Sequence, residues 1–267
     1  MEPKKTPWHA RFAVTLALLL PVYFAIAALG TKFGLWSWQV GLVSLIIGAG
    51  PMLLGIVAAV AFVSLLLIVR KAPRKGWWIP ALALIIPVGI FGLLASTGGT
   101  ADANPIHDVA TDTGNPPVFS EATMAARAEA EANPVHDYQI PLSEIEMFEG
   151  SDPELAIQSH AQIVTSLYSD LAPLPLGGAS KADAVAAVAA AMGEMGFDNI
   201  TSDAETGTIE GVAETFWFGF KDDVVARVGE TQIDFRSVSR VGRSDLGANA
   251  ARIKELREAT AARIGQR

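Results

Sequence analysis

Three long apolar runs near the start of the chain constrain its fold more than any other feature. They cover residues 12–30, 40–69 and 77–95, and none of them contains a charged side chain. An α-helix needs about 20 apolar residues to cross the hydrocarbon core of a bilayer. Because lipid supplies no hydrogen-bond partners for the backbone, the runs are predicted to be three transmembrane helices, with a bend in the second near Pro51.

The basic residues that flank these runs predict their orientation. Only Lys32 lies between the first two runs, whereas seven other basic residues lie before the first run or between the last two. Cytoplasmic flanks carry the excess of Lys and Arg, so the N-terminus and the 70–76 loop are expected in the cytoplasm. Three spans then place everything after Ala95 on the non-cytoplasmic side of the membrane. The seven residues are Lys4, Lys5, Arg11, Arg70, Lys71, Arg74 and Lys75.

The first run has a second interpretation, a signal peptide cleaved near Ala25–Ala27. Cleavage there would leave the C-terminal region on the same side of the membrane, because the other two runs form a hairpin. A transporter is disfavoured, since ionisable side chains mark ion pathways and the three runs contain none. The runs are therefore interpreted as a membrane anchor that contacts the lipid bilayer.

Net charge divides the chain into two parts. Residues 1–95 carry +7 and residues 96–267 carry −15, which together give the −8 of the whole chain. The acidic part argues against nucleic acid as a partner, because phosphates require a basic surface. The chain contains no cysteine, which excludes disulfides, thiolate metal sites and a cysteine nucleophile.

The segment 96–170 is predicted to be an acidic and largely extended linker with two short helices, at 123–132 and 153–168. It is rich in Asp, Glu, Ala, Pro and Asn, and its single basic residue is Arg127. Segments of this composition form few apolar contacts, so the globular domain is expected to begin at residue 171.

One pattern occurs twice in this segment, as Asn-Pro-Ile-His-Asp at 104–108 and Asn-Pro-Val-His-Asp at 133–137. Imidazole and carboxylate groups are ligands for zinc or manganese, so His107, Asp108 and Asp112 are candidate metal ligands. The alternative is that each Asn-Pro opens a turn and each His-Asp pair bonds to nearby backbone.

The last part of the chain, 171–267, has the pattern of an α+β domain with an antiparallel sheet and packed helices. A helix is predicted between a cap at Ser180 and a stop at Gly196, and a final helix over 246–264. Polar turns separate the other elements, which read as strands. The strands are predicted at 171–176, 197–202, 208–220, 224–228 and 231–241.

Period-two alternation along 231–241 places charged side chains on one face of the strand. Two further arginines then lead into the final helix, for which Ser244 or Asp245 is the predicted N-cap. Free amides, the positive end of the helix dipole and arginine side chains together suit a phosphate or carboxylate. The candidate ligand-binding residues are Arg236, Arg240, Arg243, Ser244 and Asn249. The alternative is a structural ion-pair network of these arginines with Asp222, Asp223, Asp234 and Asp245.

An enzyme would need a nucleophile beside a base. Ser237, Ser239 and Ser244 are available, but the histidines at 107, 136 and 160 all lie outside the predicted domain. The nucleophile-elbow, zinc-protease, P-loop and dinucleotide-binding motifs are missing from the sequence. No catalytic residue is assigned and no cofactor is implied.

Three segments, at 106–119, 216–225 and 234–249, resemble the signature blocks of the domain of unknown function 1499 family. The resemblance implies a bacterial envelope protein with a noncytoplasmic domain, and it implies that 105–119 packs on that domain. The family has no established activity, so the resemblance transfers no catalytic residue. The positions worth testing are His107, Asp108, Asp112, Asp222, Asp223, Arg236, Arg240, Arg243, Asp245 and Asn249.

The expected function is therefore an inner-membrane protein that presents a periplasmic, non-enzymatic binding domain to an anionic lipid or an envelope protein. One alternative is a membrane-tethered hydrolase or metal-dependent enzyme that combines His107 and Asp108 with Ser237 or Ser239. Another is a structural subunit of a membrane complex.

Overall fold

The computed structural model describes residues 6–71 and 75–265. Contacts between residues divide the chain into two compact units. The helical unit comprises Met1–Gly99 and Phe216–Gly219, and the α+β unit comprises Thr100–Thr215 and Phe220–Arg267. Each unit has its own buried apolar core.

The helical unit contains the three predicted apolar helices. Helix α1 is Trp8–Lys32, a π-helix at Gln39–Ala49 continues directly into α2 at Gly50–Val69, and α3 is Trp78–Ala103. Within the described residues, these three helical segments are long and apolar enough to cross a membrane. The number of apolar helices and their position at the N-terminus are therefore confirmed.

The bend predicted near Pro51 corresponds to a change of helix type. The π-helix ends at Ala49, and Pro51 lies in the first turn of α2, where its missing N–H removes no intrahelical bond. A Cβ atom on Gly50 would lie 2.9 Å from the ring of Phe24. Glycine at this position therefore allows α1 and α2 to approach closely.

The α+β unit contains one six-stranded sheet in which every pairing is antiparallel. The strand order is β1-β6-β5-β4-β3, and β2 also pairs with β6. The α+β class is confirmed. The strands are β1 Asp108–Ala110, β2 Leu174–Pro175, β3 Asp198–Asp203, β4 Thr208–Glu214, β5 Lys221–Val228 and β6 Gln232–Ser239. The helices are α4 Glu121–Glu129, α5 Pro153–Ala156, α6 His160–Leu167, α7 Lys181–Glu194 and α8 Ala248–Ile264.

Strand β6 is central because it pairs with β5 on one side and with β1 and β2 on the other. Its side chains alternate between two faces, as predicted, and both faces are buried. Phe235 belongs to the main core, where Ile253 of α8 is also buried. Val238 packs with Phe119 and Val225 in a small cluster on the opposite face.

The acidic segment contributes much of the main core, which differs from the expectation of an extended linker. Ile106, Tyr138, Leu142, Phe148 and Ile163 are buried in that core. Their spacing follows neither a helical nor a strand period, because tertiary contacts fix each of them separately. Periodicity alone therefore gives no sign that this segment is part of the folded unit.

Several element boundaries differ from the sequence expectation: β2 and β6 are shorter than expected, β5 begins at Lys221, and the helix expected at 153–168 is the two helices α5 and α6. Strand β4 ends at Glu214, because a turn closes there with the Thr215 N–H donating to the Phe220 carbonyl over 2.8 Å. Helix α8 follows Gly247, which has a φ of 82°, and its N-cap is neither Ser244 nor Asp245. The Ser180 cap of α7 is confirmed.

Candidate functional site

Arg236 on β6 forms a buried, two-pronged ion pair with Asp108 on β1. Its Nε and Nη2 atoms donate to the two carboxylate oxygens over 3.0 and 2.7 Å, and the Tyr138 hydroxyl donates to the same carboxylate over 2.5 Å. Burial raises the pKa of Asp108, but the charge and hydrogen bonds of Arg236 outweigh burial and lower it overall. Asp108 is therefore ionised at neutral pH and fully engaged.

A second buried carboxylate, Asp223 on β5, binds two arginines. Arg127 of α4 donates to it over 2.5 Å, and Arg240 donates through Nε and Nη2 over 2.9 and 2.7 Å. Arg127 also donates to the carbonyl of Asn133 over 2.7 Å. Through these two contacts, Arg127 joins α4 and the loop that follows it to the centre of the sheet. The hydrogen bond to Asp223 raises the pKa of Arg240.

The remaining candidates on this face lie near the other end of β6. Asp234 accepts from Arg227 over 2.9 Å, and Arg227 also donates to Asp112 over 3.2 Å. Asp112 additionally accepts the backbone amides of Gly114 and Asn115. Asp112 therefore stabilises a turn and binds Arg227. It does not share a site with His107 and Asp108.

The opposite face of β6 carries a polar network centred on Asn249 of α8. Its amide nitrogen donates to the carbonyl of His107 over 2.8 Å and to the Ser239 hydroxyl over 2.9 Å. Its amide oxygen accepts from the Ser237 hydroxyl over 2.5 Å and from Arg252 over 2.6 Å. Both serine hydroxyls therefore contact Asn249. The ring nitrogens of His107 have no hydrogen-bond partner among the described residues.

Asp222 lies on this second face and not with Asp223. It accepts from Arg252 over 2.6 Å, and Arg252 also donates to the Ser237 hydroxyl over 3.0 Å. The two adjacent aspartates thus point to opposite faces of β5, as period two requires. Each of them anchors an arginine from a different helix.

The loop before α8 leaves one basic candidate exposed. Arg243 is exposed, and its Nη1 atom lies 3.2 Å from the Ser151 hydroxyl. The amides of Gly247 and Asn249 at the start of α8 donate to the Asp245 carboxylate over 2.8 and 2.6 Å. Ser244 accepts only the amide of Leu246, over 3.2 Å. Asp245 thus occupies two of the amides that an external anion would use.

Three histidines gather around Asp108, which acts electrostatically on all of them. His107 and His160 are 0% and 1% exposed, and their ring centroids lie 6.3 Å apart. His160 also stacks on Tyr138 at 5.5 Å. Both members of the repeated Asn-Pro-x-His-Asp pattern thus bring their histidine to one carboxylate.

These histidines are neutral at physiological pH. Burial lowers the pKa of His107 and that of His160 from 6.5 to about 4, and it outweighs the opposing effect of Asp108. Among the described residues, neither nitrogen of either ring has a hydrogen-bond partner. Unpartnered polar atoms in a buried site are uncommon and costly.

His107, Asp108 and Asp112 were candidate metal ligands, with a structural role as the alternative. Within residues 6–71 and 75–265, no group of three or more His, Asp or Glu side chains has the arrangement to hold a metal ion. Asp108 uses its oxygens on Arg236 and Tyr138.

Sequence reasoning missed four residues that complete these networks: Arg127, Tyr138, His160 and Arg252. One signal was present for Arg127, which is the single basic residue of a long acidic segment. Another was present for Arg252, which follows Asn249 by three residues and therefore shares its helix face. Nothing local in the sequence indicates Tyr138 or His160, because their partners come from distant segments.

Three apolar helices joined to an antiparallel α+β unit define a membrane-associated protein whose second unit is built around internal ion pairs. A model of the family described as protein of unknown function (DUF1499) matches residues 108–260, and the chain belongs to this family. The matched region begins with β1 and ends within α8, so it contains the whole sheet. No curated protein and no solved structure matches the chain significantly.

Proposed function

We propose that this is a bacterial inner-membrane protein that presents a non-enzymatic binding module in the periplasm, and that the module contacts anionic lipid. The excess of Lys and Arg before α1 and between α2 and α3 supports this orientation. The engagement of Ser237, Ser239 and Asp108 by neighbouring side chains supports a binding role over hydrolysis.

The observation that carries the proposal is an exposed basic and apolar loop after β6. Arg243 is exposed, and Leu246 in the same loop is 46% exposed with a φ of 59°. Arg236 and Arg240 are occupied by carboxylates, so Arg243 is the member of the predicted arginine set that is accessible to a ligand. A cation beside an apolar side chain suits the headgroup region of an anionic lipid surface.

This loop lies at the end of the sheet where the chain enters from α3. The Ser239 N–H donates to the His107 carbonyl, which places the entry segment beside the end of β6. Only residues 104–107 separate α3 from β1. The entry segment and the loop after β6 therefore meet at the same end of the sheet.

The turn between β4 and β5 adds a second exposed apolar feature. Phe216 is 65% exposed and Trp217 is 51% exposed, and their rings meet edge to face at 5.0 Å. Trp side chains favour the interface between lipid and water, because one edge of the ring is polar and the rest is apolar. This pair therefore also suits contact with lipid headgroups.

The proposal is tested with the full-length protein in lipid nanodiscs. The chain has no cysteine, so a single Leu246→Cys or Trp217→Cys variant accepts one environment-sensitive fluorophore. Glu205→Cys is the matched control, because it lies in the turn at the opposite end of β4. We expect blue-shifted emission and quenching by headgroup-labelled lipid at positions 246 and 217, increasing with the fraction of phosphatidylglycerol, and neither effect at 205.

Equal emission and equal quenching at all three positions would contradict the proposal. Absence of quenching at 246 and 217, together with efficient photocrosslinking of position 246 to a protein in cells, would replace the lipid by an envelope protein. Either result leaves the membrane orientation to be tested separately.

A further inference from the structure

The helical unit contains a cleft that the proposed function does not use. It has a volume of about 900 Å³ and is lined by the start of α1, the last turns of α2 and the start of α3. Small-molecule sites typically occupy about 300–1,000 Å³. Apolar side chains from two of these helices line it, among them Phe12 of α1 and Val63 and Leu67 of α2.

The cleft is basic at one end. Lys71 and Lys75 both line it, and both are exposed. Neither lysine has an ion-pair partner among the described residues, and the sequence up to residue 95 contains one acidic residue, Glu2. An anionic group at this end would therefore meet two cations and no nearby carboxylate from the described helices.

A polar pair lies in the same cleft. Nδ1 of His9 and the hydroxyl of Ser64 are hydrogen-bonded at 2.7 Å, and Ser64 is 2% exposed. The cleft thus changes along its length from apolar side chains, through this polar pair, to the two lysines. A phospholipid has the same order of groups, from acyl chain through ester linkage to charged headgroup.

We propose that this cleft binds one anionic phospholipid, with an acyl chain against Val63 and Leu67 and the headgroup phosphate at Lys71 and Lys75. Basic pockets between transmembrane helices are suited to such headgroups. Charge complementarity selects an anionic headgroup over a zwitterionic one, and the apolar lining selects a lipid over a soluble phosphate.

The site is separate from the loop and turn discussed above. It lies at the N-terminal end of α3, whereas the chain reaches the sheet from the C-terminal end of the same helix. The 26 residues of α3 extend over about 39 Å at 1.5 Å per residue. Loss of lipid from the cleft and loss of lipid contact at Leu246 are therefore distinguishable results.

The experiment uses the full-length protein in nanodiscs made from equal amounts of phosphatidylglycerol and phosphatidylcholine, followed by native mass spectrometry of retained lipid. Wild type is expected to retain one lipid with a preference of about 30-fold for phosphatidylglycerol, since each lysine contributes about fivefold. Lys71→Gln/Lys75→Gln should lower this preference to near one. Lys32→Gln, which removes a charge from the other end of α1, should leave it unchanged.

A second variant tests the apolar part of the cleft without changing its charge. Ala59 is exposed and lines the cleft, so Ala59→Trp would place a ring in the space assigned to the acyl chain. We expect this variant to retain one lipid fewer. Retention of the full number of lipids by Ala59→Trp, or an unchanged preference in the double lysine variant, would overturn the proposal.

Discussion

The two units of this protein differ in whether large apolar side chains are exposed or buried. In the helical unit many of the residues buried between helices are small, such as Ala13, Ala17 and Ala61, although Leu54 is buried among them, while Leu18 and Ile56 are exposed. In the α+β unit the buried residues include Tyr138, Phe148 and Phe235. Lipid solvates large apolar side chains, so helices in a membrane associate through close packing of small residues, whereas water drives large apolar side chains into a core.

The two units also treat charge differently. The described residues of the helical unit carry basic side chains at helix ends, and two of them, Lys71 and Lys75, have no described ion-pair partner. The α+β unit instead buries carboxylates and arginines together, as in the contacts of Asp108 and Asp223. Basic side chains at helix ends indicate how the helices are oriented in a membrane. The buried ion pairs instead connect distant segments of the α+β unit.

The largest expected effect concerns the side of the membrane on which each region lies. Lys75→Cys and Glu205→Cys are compared in intact bacterial cells with a maleimide that does not cross the inner membrane. We expect complete labelling at 205 and labelling at 75 only after the cells are opened, because the proposed orientation places the basic loop between α2 and α3 in the cytoplasm. Labelling of 75 in intact cells would reverse the proposed orientation.

The next largest effect tests the buried charges. Asp223→Ala should lower the free energy of unfolding of the α+β unit by roughly 3–5 kcal/mol, because Arg127 is left buried without a counter-ion. Arg127 and Asp223 are 3% and 1% exposed in their side chains. Hydrogen exchange at the amides of β5 and β6 in the full-length protein measures the loss.

An exposed pair provides the control for Asp223→Ala. Glu214 and Lys221 lie on neighbouring strands 4.0 Å apart, and about half of each side chain is exposed. Glu214→Ala should change the free energy by roughly 0–1 kcal/mol. If the two variants lost equal amounts of free energy of unfolding, burial of the Asp223 contacts would add nothing to the stability of the α+β unit.

The third prediction concerns pH. The pKa of His160 and that of His107 are lowered from 6.5 to about 4 by burial, so the unfolded chain binds their protons first as the pH falls. The α+β unit should therefore keep its full stability above pH 6.5 and lose it progressively between pH 6.5 and 4. Each histidine contributes up to about 1.4 kcal/mol per pH unit in this window, which is about 3 kcal/mol for each histidine over the whole window.

The variant His160→Phe isolates one of these contributions. Phenylalanine fits the aromatic contacts of His160 with Tyr138 and Phe148 and takes up no proton. The slope of unfolding free energy against pH near 5 should therefore be about 1.4 kcal/mol per unit shallower than in wild type. A variant with the wild-type slope would show that His160 is already protonated in the folded protein.

Local features of the fold were predictable from sequence, and contacts between distant segments were not. The uncharged runs predicted the apolar helices, and the alternation along β6 predicted its two faces. Thr215–Phe220 was expected to continue β4 because aromatic residues favour strands, but a turn with Gly219 at a φ of 63° ends it.

The candidate site shows the same limit more strongly. Arginines and aspartates near β6 were found because they lie close together in sequence. Tyr138 and Asp108 are 30 residues apart, and Arg127 and Asp223 are 96 apart. Without an alignment of related sequences, no pattern in one chain reveals such pairs, and the segment that supplies Tyr138 and Arg127 has the composition of a linker.

The smallest expected effect tests a contact that the sequence alone did predict. The Ser180 hydroxyl accepts the backbone amide of Asp183 over 3.2 Å at the start of α7. Ser180→Ala should lower the free energy of unfolding by about 1 kcal/mol, and Ser180→Asp should preserve it, because a carboxylate caps the same amide. If Ser180→Ala were as stable as wild type, the packing of α7 on β3 and β4 would hold this helix without its cap. The capping residue would then mark where the helix begins in the sequence without adding to the stability of the α+β unit.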